Sequence, residues 1–233
     1  MSETSAGKIQ AAKAAADLVE PGMIVGLGSG TTAMEVVRVL GDRLRDEGLA
    51  IQGVATSEAT AERARSLGIP LTDLDDVDGI DLVIDGADRI DTAFRMIKGR
   101  GGALLREKIV ACVAKRRVIV VTPEKRVAHL GGAAPLPVEV SPMGTRHIEG
   151  RLRDLGARTA LRALENGRPF HTDGGNRIVD CHFDEIDDPA RLDQRLKGVV
   201  GVFETGLFLG LCDLLIVGHA DRVERIDATA AEE

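Results

Sequence analysis

Met23-Ile24-Val25-Gly26-Leu27-Gly28-Ser29-Gly30-Thr31-Thr32 is the stretch that decides the fold. Its first half is a short apolar run that reads as a buried strand. Its second half is a glycine-rich turn leading to Met34, Val37, Leu40 and Leu44, which share one helical face. Strand, glycine turn and helix in that order open a βαβ unit. Where such a turn meets a helix, backbone N–H groups lack partners and the helix dipole favours an anion. The dinucleotide fingerprint needs glycine where Thr31 stands, and the P-loop lysine is missing. A phosphate monoester held by Ser29, Gly30, Thr31 and Thr32 fits better than a dinucleotide. A plain glycine turn with a threonine N-cap is the structural alternative.

Upstream, Ile9, Ala12, Ala16 and Val19 recur at helical spacing over residues 8–19, and Glu20-Pro21-Gly22 ends that helix. Downstream, residues 51–55, 82–85 and 117–121 read as strands. The helix after the first is capped by Thr56-Ser57 and closed by Gly68, and another helix covers residues 105–115. These strands are apolar runs rather than alternating ones, which predicts a parallel sheet covered on both faces. After Lys125 the order becomes strand–helix–strand–strand–helix–strand, a small α+β module. Residues 211–217 form one more apolar run, which most simply returns to the first sheet. The expected organisation is therefore a sheet domain of residues 1–129 and 206–233, with 130–205 inserted. Residues 228–233 are expected to fray.

Composition narrows the function. At 233 residues the chain can bury a sizeable core, which must be aliphatic because there are five Phe and no Trp or Tyr. Stacking platforms for single-stranded nucleic acid are nearly absent. A net charge of −7 disfavours a nonspecific polyanion binder while leaving room for a local phosphate pocket. Cys112, Cys181 and Cys212 form no Cys-x-x-Cys pair, so reduced thiols in a cytoplasmic protein are expected, with no disulfide framework. The five histidines are scattered, which argues against structural zinc. No apolar window approaches a membrane span.

A second stretch carries the chemistry. Asp85-Gly86-Ala87-Asp88 closes the run Leu82-Val83-Ile84, and Lys98-Gly99-Arg100-Gly101-Gly102 leads to Glu107 and Lys108. Open α/β sheets place ligands at the carboxyl ends of their strands, where these acids fall. Each has a plain alternative: Asp85 and Asp88 as a turn and helix cap, and Lys98, Lys125 and Glu107 as surface charges. All follow predicted strands of one sheet, which makes the joint case stronger than its parts. A carboxylate base, with cationic help for an oxyanion, suits proton abstraction beside a carbonyl. On a phosphorylated sugar that chemistry is aldose–ketose isomerisation, and it requires no redox cofactor.

The motifs Val25 to Thr32, Ala55-Thr56-Ser57, Asp85 to Asp88, residues 98–108, Pro137-Val138-Glu139-Val140 and Gly206-Leu207-Phe208 occur in one order across nearly the whole chain. In that order they resemble the type A ribose-5-phosphate isomerases. The resemblance implies a Rossmann-like α/β domain with an inserted, smaller, ferredoxin-like α+β domain. It also implies metal-free, cofactor-free interconversion of ribose 5-phosphate and ribulose 5-phosphate in the non-oxidative pentose phosphate pathway. Glu107 then matches the general base, and Asp85, Asp88 and Lys98 match residues that open the ring and stabilise the enediolate oxygens. Ser29, Gly30, Thr31, Thr32 and Lys125 match the phosphate-binding segments, with Lys8 adding charge. Gly86, Ala87, Gly99, Arg100 and Gly101 line the substrate. The implied setting is a cytoplasmic homodimer or homotetramer with no nucleic-acid or membrane partner. Arg100 departs from the family's glycine run, so either its backbone is ordinary and its side chain points outward, or the loop geometry differs. The competing readings are a sugar-phosphate deaminase, for which no positioned histidine is evident, and a sugar-phosphate sensor domain.

Overall fold

The computed structural model describes residues 2–132 and 134–228. In chain order its elements begin with α1 (Glu3–Ala16), β1 (Ile24–Leu27), α2 (Gly30–Glu47), β2 (Gln52–Ala55), α3 (Glu58–Ser66) and β3 (Leu82–Gly86). The short strands β4 (Arg89–Ile90) and β5 (Met96–Ile97) follow, then α4 (Leu104–Val113) and β6 (Arg117–Val121). Next are β7 (Leu136–Val140), α5 (Thr145–Asp154), β8 (Arg158–Leu161), β9 (Arg177–His182), α6 (Pro189–Lys197) and β10 (Val202–Thr205). The last described strands are β11 (Leu207–Phe208), β12 (Leu214–Gly218) and β13 (Val223–Asp227). The chain divides into two compact units. One comprises residues 1–87, 106–126 and 211–233; the other comprises 88–105 and 127–210.

The first unit is a six-stranded sheet in the order β13-β12-β6-β3-β1-β2. Its strands are parallel except β13, which pairs antiparallel with β12 along the edge. Successive side chains of a strand point to opposite faces, so the apolar runs feed two cores. Leu82 and Ile84 join Val118, Val120, Leu214 and Ile216 under the alanines of α1 and under Val36, Val37 and Leu40 of α2. Val83 faces the other way, with Val54, Ile80, the α4 residues Val110 and Ala111, and Ala114 just past that helix beyond it. Each fully buried Val, Leu or Ile stabilises by about 1.5–3 kcal/mol. Ser57 caps α3 by accepting the Thr60 N–H at 3.1 Å.

The second unit carries a four-stranded antiparallel sheet ordered β10-β7-β9-β8. With α5 after β7 and α6 after β9, the chain runs βαββαβ, the split-βαβ arrangement of the ferredoxin-like class. Val138, Val140, Val179 and Cys181 from the strands pack with Ile148 and Leu152 of α5 and Leu196 of α6. Asp188 caps α6 by accepting the Arg191 N–H at 3.0 Å, with Pro189 in the first helical turn.

The expected boundaries shift at three places. Residues 88–105, expected in the sheet domain, group with the second unit, as do 127–129 and 206–210. Hydrogen bonding explains the shift. Arg89 and Ile90 pair with Ile97 and Met96, which pair in turn with Leu207 and Phe208 in a three-stranded sheet of their own. The Lys98 N–H then donates to Gly206 O at 2.9 Å. Of the residues expected to fray, 229–233 lie outside the described residues. No helix among the described residues is long and apolar enough to cross a membrane.

Candidate active site

In the sheet unit the strand order reverses between β1 and β3, the place where open α/β sheets bind ligands. The Gly28-Ser29 turn leaves β1 there, and Asp85 lies near the carboxyl end of β3. Gly28 has to be glycine, because a Cβ at that position would fall on the Asp85 carboxyl and Cα. With no Cβ in the way, Asp85 lies against the turn, only 4% exposed. Its Oδ1 accepts the Ser29 N–H at 3.0 Å and the Gly86 N–H at 2.7 Å. Charge-assisted bonds of this kind hold the turn and the acid in one register.

Hydroxyls fasten the same turn from the next βα loop. Ser29 Oγ lies 2.7 Å from Thr56 Oγ1 and donates to Ser57 Oγ at 3.0 Å. Thr56 Oγ1 donates to Leu27 O at 3.0 Å, and Thr60 Oγ1 donates to Gly28 O at 3.1 Å. Ser29 occupies the N-cap of α2, yet its side chain makes no capping bond. The threonine N-cap weighed from the sequence is therefore not the arrangement found. Gly30 opens α2, half-buried Thr32 follows, and Thr31 Oγ1 accepts a bond from Lys8 Nζ at 2.8 Å. Lys125 is half-buried and ends the short 3-10 turn Pro123–Lys125 that follows β6. Glu107 is 5% exposed in the first turn of α4. Its neighbour Arg106 donates to Glu58 at 2.8 Å, and that bond holds the Glu58 carboxyl below its ordinary range.

The second unit holds Asp88, Lys98, Gly99, Arg100 and Gly101. Lys98 is 4% exposed, and its ammonium sits 5.2 Å from the centroid of the Phe208 ring, within cation–π range. Arg100 takes an ordinary backbone conformation. The left-handed turns fall on two glycines of the loop, Gly99 at φ +102° just before Arg100 and Gly102 at φ +87° two residues after it. An arginine therefore fits between them without strain, its side chain exposed and its N–H donating to Asp88 Oδ2 at 2.9 Å. Gly101 has open space where a Cβ would stand. Half-buried Ala87 sits next to Asp88 at the chain's passage between the units.

Sequence reasoning missed Arg162, the residue after β8. Its Nη1 donates to Gly99 O at 2.8 Å and Arg100 O at 3.0 Å, while Nε and Nη2 hold the Asp180 carboxylate at 2.9 and 2.5 Å. A charged residue following an exposed short strand reads as solvent-facing, so no local signal picked it out. A cavity of about 360 Å3 includes Asp88, Arg100, Arg162 and Asp180 in its lining. A larger one of about 560 Å3, beside α3 and α4 in the sheet unit, contains none of the predicted site residues.

A mostly parallel sheet with a glycine turn, a helix start without a side-chain cap and a buried acid at its switch point defines a doubly wound α/β protein. Residues 52–222 match the family model described as ribose 5-phosphate isomerase A (phosphoriboisomerase A). The ribose-5-phosphate isomerase A of Thermomicrobium roseum is 54% identical over 96% of this chain and 94% of its own. That of a Synechococcus species is 47% identical over 94% and 96%. A solved D-ribose-5-phosphate isomerase in complex with phospho-erythronic acid superposes with a TM-score of 0.93 at 37% identity, covering 97% of this chain and all of that one. The chain belongs to the ribose 5-phosphate isomerase A family.

Proposed function

We propose that this protein interconverts D-ribose 5-phosphate and D-ribulose 5-phosphate through an enediolate, with Glu107 as the general base and no metal ion. The observation that carries the reading is the burial of two acidic side chains and one basic one close together in sequence. Asp85, Lys98 and Glu107 are each more than nine-tenths buried. Burying charge is costly, and side chains that bear that cost are candidates for function. A relative bound to phospho-erythronic acid supports the same chemistry. That ligand is a four-carbon acid whose planar carboxylate mimics an enediolate and whose phosphate mimics the substrate's.

In the proposed reaction the phosphate rests on the start of α2, on backbone N–H groups and the hydroxyls of Thr31 and Thr32, with charge from Lys8 and Lys125. Asp85, Asp88 and Lys98 assist the passage of a proton from the O1 hydroxyl to the ring oxygen, which frees the aldehyde. Glu107 then removes the C2 proton, and its bonding electrons form the C1–C2 double bond while charge gathers on O1. The Lys98 ammonium stabilises that oxyanion. The O2 proton passes to O1, Glu107 returns its proton to C1, and the C2 carbonyl forms. We propose further that the reaction runs in the cytoplasm and in a homo-oligomer.

The test uses EDTA-treated protein and ribose 5-phosphate, with ribulose 5-phosphate followed over time. No turnover, or turnover only after metal is added, would sink the reading. Glu107→Gln should lower kcat by at least about 10²-fold with little change in substrate binding. A kcat near that of the parent removes Glu107 as the base.

A further inference from the structure

We infer that Arg162 is a positioning residue for the isomerisation, holding the 99–102 loop so that the Gly101 N–H is aimed at the sugar's developing oxyanion. The inference rests on the isomerase reading above. Its starting point is the grip of one Nη1 on two consecutive carbonyls, Gly99 O and Arg100 O. In a trans peptide the C=O and the following N–H point in opposite directions. The peptide that gives its Gly99 oxygen to Arg162 must therefore send the Arg100 N–H the other way, and that N–H reaches Asp88 Oδ2. The next peptide gives its Arg100 oxygen to the same guanidinium. Its Gly101 N–H consequently leaves on the Asp88 side, beside an acid placed at the reacting end of the sugar. Of these two successive N–H groups turned one way, Asp88 takes the first, and the Gly101 N–H is the one directed at a developing negative oxygen.

The guanidinium is fixed for this task. Asp180 takes its other edge as a bidentate partner, with both side chains mostly buried. The Phe170 ring lies 5.9 Å from the Arg162 guanidinium carbon and fills the space where a Cβ on Gly102 would stand. Arg162 is therefore stacked, ion-paired and hydrogen-bonded to the loop at once. A lysine could keep the attraction to Asp180, but a compact ammonium cannot supply the planar fork that serves the carboxylate and both carbonyls together.

That difference separates positioning from a merely structural ion pair. Arg162→Lys should lower kcat at least about 10-fold with KM changed less than about threefold and Tm within about 2 °C of the parent. Hydrogen exchange across residues 99–102 should also quicken by about tenfold or more. A kcat within twofold of the parent, unchanged exchange in the loop, or a kcat loss that only tracks lost folded protein would each overturn the inference. Should Arg162→Lys not fold, Asp180→Asn loosens the same fork while keeping the guanidinium, and the same readings decide. The parent enzyme is the control. If it fails to turn over ribose 5-phosphate the isomerase reading fails, whereas a working parent matched by the variant defeats only the role of Arg162.

Discussion

Replacing Gly28 by alanine should dislodge Asp85. A Cβ there would overlap the Asp85 Cγ, Oδ1 and Cα, so the clash cannot be relieved by rotating the side chain alone. Forcing an extra methyl into such a site costs about 1–3 kcal/mol. Moving the carboxylate away also weakens the Ser29 N–H bond at 3.0 Å, and a hydrogen bond to a charged group contributes about 1.5–3 kcal/mol. The two losses overlap, because the movement that relieves one causes the other, so about 2–4 kcal/mol is expected. With an unfolding entropy near 2.1 cal/mol/K per residue over 233 residues, that lowers Tm by about 4–8 °C. Thermal unfolding followed by circular dichroism measures it, and ribose 5-phosphate turnover on the folded variant should fall at least about tenfold. A variant within 1 °C of the parent and equally active would show that Gly28 does not set the position of Asp85.

Two further outcomes follow from titration. Burial pushes the Asp213 carboxyl up, but three bonds from Arg117, at 2.7–2.8 Å, outweigh it and leave the group below its ordinary range. A depressed carboxyl stabilises the fold above the unfolded value near 3.9, and that contribution is lost as the pH falls through the folded one. Urea unfolding should therefore show Asp213→Asn less stable by about 1–3 kcal/mol at pH 7, with the gap narrowing progressively as the pH falls below about 5. A gap unchanged at pH 3 refutes it. Burial also pushes the Cys181 and Cys212 thiols up to about 12, whereas Cys112 is exposed. An aromatic disulfide reagent at pH 8 should label one thiol in the native protein and three after unfolding; fast native labelling of three would contradict the burial.

The long apolar runs were legible because a parallel strand buried on both faces has no choice of residue type. β6 falls where the sequence places it, and β1, β3 and β12 within a few residues. β4, β5 and β11 were not legible, since two residues cannot display a period, and these strands decide where residues 88–105 belong. β13, Val-Glu-Arg-Ile-Asp at a sheet edge, carries too many charges to read as a strand. Within the site, residue types were visible but backbone geometry was not. Nothing in Lys98-Gly99-Arg100-Gly101-Gly102 says which residues need positive φ, so Arg100 looked more disruptive than it is. Ser29 was picked as a phosphate ligand by its hydroxyl, yet that hydroxyl bonds to Thr56 and Ser57.

The order of the sheet also bears on synthesis. β6 pairs with β12 along four residues, and α1 packs on β12, yet about ninety residues of chain separate Val121 from Leu214. A ribosome adding roughly 5–20 residues per second needs about 5–20 s to cross that interval. Throughout it, the nascent sheet presents an apolar strand with an unpaired edge, a template for association with other chains. The ferredoxin-like unit can close during the wait, since all its strands precede β12. The last apolar strand to leave the exit tunnel thus joins a sheet whose first strand left nearly two hundred residues earlier, with only the edge strand β13 to follow, and chaperone demand should concentrate in that window.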